Sequence, residues 1–219
     1  MTSPRERILA SIRDGLLRAH LPAADNGLPA RDGLGPAAPS AREMADQFSA
    51  AVTALAGRVH RASSTEGVAD LIAGIAHDQQ ASTCISWDDE HLGCAGLLAA
   101  LASRGLTRIA YAVSGDPDRR LAESGALAGV GLGVTGAHAA LADTGGIVLV
   151  SGPGRGRLVS ALPPVHVAVV EERRLRPSLA ALLREEPGLL DAGPVHRALP
   201  RRRAAVVVDD VVAAGGHHY

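Results

Sequence analysis

The chain has 219 residues, of which 47% are hydrophobic and 21% charged, and its formal net charge is -1 at pH 7. This length and composition suit one globular domain with a substantial core. The near-zero net charge gives no electrostatic reason to expect nucleic acid or an anionic membrane as a partner.

The N-terminal segment predicts a helix followed by a linker. Ser3, Pro4 and Glu6 combine an N-cap, a proline at the first helical position and a capping-box glutamate, so we expect a helix to about Ala19. Residues 21–40 are rich in proline and glycine, which predicts a linker. The N-terminus lacks a signal-peptide core and no segment has the length of a membrane span, so we expect a cytoplasmic protein.

Two further helices are predicted from their first residues. The spacing from Ser40 to Glu43 is that of a capping box, and the same spacing recurs from Ser63 to Glu66. The stripe expected to be buried on the first of these helices is Met44, Phe48, Val52 and Leu55.

From Arg58 onward short strands alternate with helices, which predicts an α/β fold with a mostly parallel open sheet covered on both faces. The predicted strands are 58–62, 82–87, 107–113, 130–134, 146–151, 164–170 and 204–208. The predicted helices lie near 65–77, 89–103, 117–123 and 175–186, and residues 137–142 predict one or two further helical turns. Ligands of such sheets bind beyond the carboxyl ends of the strands, where 87–88, 114–116 and 135–136 fall.

The two cysteines, Cys84 and Cys94, exclude an iron-sulfur cluster held by this chain alone, because a cluster needs about four thiolates. Neither has a histidine at metal-ligand spacing, so we expect no metal site. Buried free thiols in a reducing compartment are the expected state.

A glycine turn and an arginine loop form the strongest candidate site. Gly145 and Gly146 expose peptide N–H groups, and Arg155 and Arg157 follow in a Gly/Pro-rich loop. We expect both arginines to converge with Asp143 to Gly145 on one anion-binding pocket. The alternatives are a tight turn braced by Asp143, a solvated arginine loop and a structural histidine at His166.

Residues 142–149 (ADTGGIVL), then Arg157, Ser160 and residues 162–166 (LPPVH), resemble the signature of the LUD (lactate utilization) domain family, in particular its lactate utilization protein C group. The resemblance covers roughly residues 1–194. It implies a fold like that of sugar-phosphate isomerases and coenzyme A transferases. The residues expected to bind a ligand are Thr135, Gly136, Asp143, Thr144, Gly145, Gly146, Arg155, Arg157, Ser160 and His166.

The resemblance also implies a non-redox subunit of a system that oxidises lactate to pyruvate. The iron-sulfur clusters then belong to partner proteins, and this chain binds a small carboxylate or docks onto those partners. The alternative is a stand-alone isomerase or transferase that acts on a phosphorylated or acyl substrate. No nucleophile and base stand at a recognisable spacing, so catalysis by the chain alone is not indicated.

The sequence therefore divides into an N-terminal helix and linker (1–40), an α/β domain (41–194) and a divergent tail (195–219). The tail contains doubled and tripled residues with neither helical nor clean strand periodicity, RRRAAVVVDDVVAAGG. We expect either an out-of-frame translation after about Pro194 or a genuine strand over 204–208.

Overall fold

The computed structural model describes residues 39–109, 129–189, 195–198 and 204–208, together with a few single positions. The chain divides into two compact units, 1–38 and 39–219, and the elements described below belong to the second. Of the predicted N-terminal helix, only Arg5, Leu9 and Ser11 are described, and they are helical. The predicted linker, the helix at 117–123 and the rim residues 114–116 lie outside the described residues.

Five α-helices and ten strands are described. The helices are α1 (Ala41–Ala54), α2 (Thr65–Asp78), α3 (Leu97–Ser103), α4 (Leu158–Ala161) and α5 (Leu179–Glu185). The strands are β1 (Arg58–Ala62), β2 (Thr83–Ser86), β3 (Thr107–Arg108), β4 (Leu132–Thr135), β5 (Ala139–Leu141), β6 (Gly146–Val150), β7 (Val165–Glu171), β8 (Leu175–Arg176), β9 (Val195–Ala198) and β10 (Ala204–Val208). Short 3-10 helices cover Asp89–His91 and Glu172–Arg174.

The strands form two sheets. The larger is parallel throughout, with the order β1-β10-β7-β4-β2-β3, and helices flank it. Strand β7 is buried over six of its seven residues, as expected for a central strand covered on both faces. The predicted α/β fold with a mainly parallel sheet is therefore confirmed.

The second sheet was not expected from the sequence. Its order is β8-β5-β6-β9, and β5 pairs antiparallel with β6. Strand β6, assigned from sequence to the parallel sheet, belongs here. A separate small core lies against this sheet and includes Leu141, Val148 and Leu182.

The helix predicted at residues 137–142 is wrong, because residues 139–141 form β5. A single helical turn closes few hydrogen bonds at a high nucleation cost, whereas pairing with β6 and β8 satisfies the backbone along the segment. All three β5 residues are buried, as in a covered strand and unlike a surface helix, which would expose a polar face.

Glycine and proline shorten two other predicted helices. Gly93 and Gly96 have φ values of 77° and 75°, which end the 3-10 turn and delay α3 to Leu97. Pro177 and the N-cap Ser178 delay α5 to Leu179, so the start of the helix predicted from residue 175 is strand β8.

The helix caps match the sequence patterns in one case and shift by one residue in the other. Ser40 and Glu43 form the predicted capping box of α1, and Phe48 and Val52 are fully buried. Leu55, expected in the same stripe, is 42% exposed because it lies beyond the last turn as the C-cap. The cap of α2 is Ser64, which accepts a hydrogen bond from the Gly67 N–H, and not Ser63.

Residues 204–208 form β10, which pairs with β1 on one side and β7 on the other. A strand at this position joins two otherwise separate parts of the parallel sheet. Both alternatives for the origin of the tail stay predictions.

Candidate functional site

A cavity of about 210 Å³ lies at the carboxyl ends of β2, β4 and β7. It is lined by Trp87, Glu90, His91, Gly93, Ala137, His138, Val150, Arg155, Val169, Glu171, Arg173 and Arg174. This edge of a parallel sheet is where ligands of open α/β folds bind. Pockets for drug-sized ligands occupy roughly 300–1,000 Å³, so this cavity suits a smaller molecule.

The loop at residues 151–157 forms one wall because it is tied to the segment that follows β2. The Trp87 indole Nε1–H donates to the Gly156 carbonyl at 3.1 Å, and the Asp88 N–H donates to the Gly154 carbonyl at 2.9 Å. Gly154 has a φ of 68°, and a Cβ there would lie 2.6 Å from Asp88 Oδ2. The glycine is required by both its backbone conformation and this close approach.

Arg155 brings an uncompensated positive charge to the cavity. Its Nε is buried without a hydrogen-bond partner, and its guanidinium forms no ion pair within the described residues. A buried donor without an acceptor costs free energy that an anionic ligand would recover. Because a guanidinium binds a carboxylate through two parallel hydrogen bonds, Arg155 is well suited to bind a ligand carboxylate.

The other two arginines are already paired. Glu171 Oε1 accepts a hydrogen bond from Arg173 Nη2 at 2.8 Å, and Oε2 accepts one from Arg174 Nε at 2.5 Å. Burial raises the pKa of Glu171, but the hydrogen bonds from both arginines outweigh it and hold the pKa below its ordinary value. The carboxylate is therefore ionised. Three arginines against two glutamates leave the lining with an excess of positive charge when the histidines are neutral.

Two histidines complete the polar lining. His138 Nε2 lies 2.8 Å from Glu186 Oε2, and His91 Nε2 lies 3.3 Å from Glu90 Oε1. Each imidazole ring has one nitrogen that can donate to, or accept from, a ligand hydroxyl.

The structure does not bring the glycine turn and the arginine loop together. The turn precedes β6 and the loop follows it, and five residues of strand at about 3.3 Å each separate them by roughly 17 Å. Gly145, with a φ of 63°, packs instead against α1, where its Cβ would lie 2.8 Å from the Val52 nitrogen. Asp143 is exposed, and its N–H donates to the Pro177 carbonyl.

The other predicted site residues do not line the cavity either. Thr135 and His166 are fully buried on neighbouring strands, with Thr135 Oγ1 2.8 Å from His166 Nε2. Ser160 is buried and donates to the Arg157 carbonyl at 3.0 Å, and Arg157 itself is exposed. Thr144 and Gly146 belong to the turn and the start of β6.

Gly136 has a direct structural role beside the cavity. A Cβ at this position would lie 2.1 Å from the His91 carbonyl oxygen. The absence of a side chain thus lets the segment after β4 approach the turn after β2, and both segments contribute lining residues.

Sequence reasoning missed the acidic and basic cluster at the end of β7. The signal was present as the run EERR, residues 171–174, directly after a predicted buried strand. A strand end in a parallel sheet is a functional position, so charged residues there point to a site.

Within the described residues no group of three His, Cys, Asp or Glu side chains is placed to hold a metal ion. Burial raises the pKa of Cys84 to about 11, against a weaker lowering by Arg108. Burial also raises the pKa of Cys94 to about 11. Both thiols are therefore protonated near neutral pH. In the described part of the chain, no helix is both long and apolar enough to span a bilayer.

Comparison with curated proteins finds relatives named for lactate utilization. The chain is 32% identical to lactate utilization protein C of Halalkalibacterium halodurans over 114 residues, which is 52% of this chain and 47% of that protein. It is 47% identical to lactate utilization protein B of Bacillus velezensis over 49 residues, 22% of this chain and 10% of that protein. The chain thus spans less than half of either relative.

Among solved structures, a DUF162 family protein from Deinococcus radiodurans matches with a TM-score of 0.57 and 18% identity. The match covers 78% of this chain and 99% of that one, and it shows a shared fold. The LUD domain model matches residues 45–189, which include β1 to β8 and every residue that lines the cavity. The chain therefore belongs to the LUD domain family.

Proposed function

We propose that this protein acts in lactate utilization as a non-redox subunit that binds a small carboxylate, with the iron-sulfur clusters carried by partner proteins. The names of the relatives support the process. The observation that carries the ligand proposal is Arg155, whose guanidinium forms no ion pair with any described residue and lines a small cavity at the carboxyl edge of the sheet.

The cavity offers separate partners for the two ends of a 2-hydroxy or 2-oxo acid. The carboxylate pairs with Arg155, whose buried Nε–H has no acceptor among the described residues. The hydroxyl or keto oxygen then faces the histidines, which supply a donor or an acceptor. Arg173 and Arg174 hold Glu171 ionised, and so they shape the wall without competing for the ligand carboxylate.

Trp87 provides the assay, because it is the only tryptophan in the chain and lines the cavity. Titration with lactate and with pyruvate should change its fluorescence and saturate. Arg155→Gln should weaken binding by about tenfold or more, since truncating one partner of a buried charged pair costs roughly 2–5 kcal/mol.

Arg157→Gln is the matched control. Arg157 lies two residues along the same loop but is exposed and contributes nothing to the cavity, so its loss should leave the titration unchanged. Equal weakening by both substitutions would indicate general electrostatic attraction and would overturn the assignment of Arg155.

The role in the wider system is tested separately. Deletion of the gene in its own host should abolish growth on lactate as the carbon source, and Arg155→Gln should restore it poorly. The purified chain should be colourless and should not oxidise lactate without partner proteins. Turnover by the chain alone would favour the stand-alone enzyme, and visible absorbance from a bound cluster would contradict the non-redox assignment.

A further inference from the structure

A second cavity of about 380 Å³ lies at the end of β2 and shares no lining residue with the first. It is lined by Ser86, Asp88, Arg108, Gly152, Pro153, Gly154 and Gly156. The glycine loop, residues 152–156, thus contributes Arg155 to one cavity and its remaining residues to the other.

Ser86 provides a buried hydroxyl without a partner. The residue is 4% exposed, and its Oγ forms no hydrogen bond within the part of the chain that the structure describes. A buried hydroxyl in this state is destabilising unless a ligand or water satisfies it. Its position in the lining of an open cavity points to a ligand.

Arg108 adds guanidinium donors next to Ser86. Its Nη2 donates to Asp88 Oδ1 at 2.6 Å and to the Ser86 carbonyl at 3.3 Å. Among the described residues, its Nε and Nη1 have no acceptor. Asp88 balances the charge of Arg108, so hydrogen-bond donors and not net charge define this site.

The glycine loop adds peptide donors. The carbonyls of Gly154 and Gly156 accept hydrogen bonds from the segment after β2, and their N–H groups donate to no acceptor in the described ranges. Between them, the Arg155 N–H donates to the Gly152 carbonyl at 2.9 Å, so the peptide donors that remain in this loop are the N–H groups of Gly154 and Gly156. Glycine also allows a ligand to approach the backbone closely.

We propose that this second cavity binds a phosphate-type oxyanion through the Ser86 hydroxyl, the Arg108 guanidinium and the N–H groups of Gly154 and Gly156. These donors belong to three separate segments of the chain, and a tetrahedral oxyanion presents several acceptors to donors from different directions. The site goes beyond the proposed carboxylate site and does not depend on it.

Calorimetric titration of the full chain with inorganic phosphate tests the proposal. Saturable binding is expected, and Ser86→Ala should weaken it by about tenfold or more, because hydrogen bonds to charged groups are among the stronger ones. The substitution should not lower the melting temperature, since it removes a buried hydroxyl that has no partner among the described residues.

A parallel titration with glycerol phosphate distinguishes the source of the phosphate group. Tighter binding of the ester supports a phosphorylated organic ligand, and tighter binding of inorganic phosphate supports the free ion.

Thr144→Val is the matched control, because the Thr144 hydroxyl is also buried without a partner but belongs to the turn before β6. It should leave phosphate binding unchanged. No binding of either phosphate compound, or equal affinity in wild type and Ser86→Ala, would overturn the proposal. Lactate titrations of the same samples report on the first cavity, so failure of one site is distinguishable from failure of the other.

Discussion

Replacement of Gly136 by alanine perturbs a contact that joins the fold to the cavity. The added Cβ would lie 2.1 Å from the His91 carbonyl oxygen, and the nearest contacts that real Cβ atoms make begin at 3.0 Å. The φ of Gly136 is not in the left-handed region, so the contact alone causes the strain. One of the two segments must move by roughly 1 Å.

The cost follows from the type of atom contacted. A backbone carbonyl cannot rotate away as a flexible side chain does, so we expect the upper part of the overpacking range, about 2–3 kcal/mol of unfolding free energy. For a chain of this size this corresponds to a melting temperature lower by about 4–12 °C. Because His91 lines the cavity, lactate binding should also weaken.

Urea unfolding followed by far-ultraviolet circular dichroism measures the change. Gly74→Ala is the matched control, because Gly74 lies inside α2 with no atom within 4 Å of the added Cβ. There alanine should stabilise the protein by about 0.5–1 kcal/mol through its higher helix propensity. Equal unfolding free energies for wild type and Gly136→Ala would refute the close approach of the two segments.

Three further predictions concern charge, thiols and the glycine turn. Glu171→Gln should lower the unfolding free energy by about 1–2 kcal/mol at neutral pH. Because the pKa of Glu171 in the folded state lies below the ordinary 4.5, this difference from wild type is full above about pH 4.5 and disappears as the pH falls through the folded-state pKa. A difference that does not change with pH in acid would contradict this prediction. Cys84 and Cys94 should react with a thiol reagent at pH 8 only after urea is added, and rapid labelling of the folded chain would contradict their burial. Gly145→Ala should lower the melting temperature through both its φ of 63° and its contact with α1, while lactate binding by the folded fraction stays unchanged. Loss of lactate binding without loss of stability would show that the turn belongs to the ligand site.

The sequence by itself determined most elements whose signals are local. The capping box from Ser40 to Glu43 and the apolar run at 204–208, which ends in three valines, predict α1 and β10 at their observed positions. Such signals depend on neighbours within a few residues, so they persist whatever the rest of the chain does. The resemblance around residues 142–166 likewise identified the family, since a motif is carried by the order of residues.

Only the tertiary structure decided which of those residues meet. Arg155 and Arg157 are equivalent in the sequence, yet one lines the cavity and the other is exposed, because the docking of the glycine loop on Trp87 sets the direction of each side chain. Likewise, the alanines at 139–140 are helix formers that become β5 because pairing with β6 satisfies their backbone. These outcomes depend on contacts between residues distant in the chain, and local propensity carries no information about them.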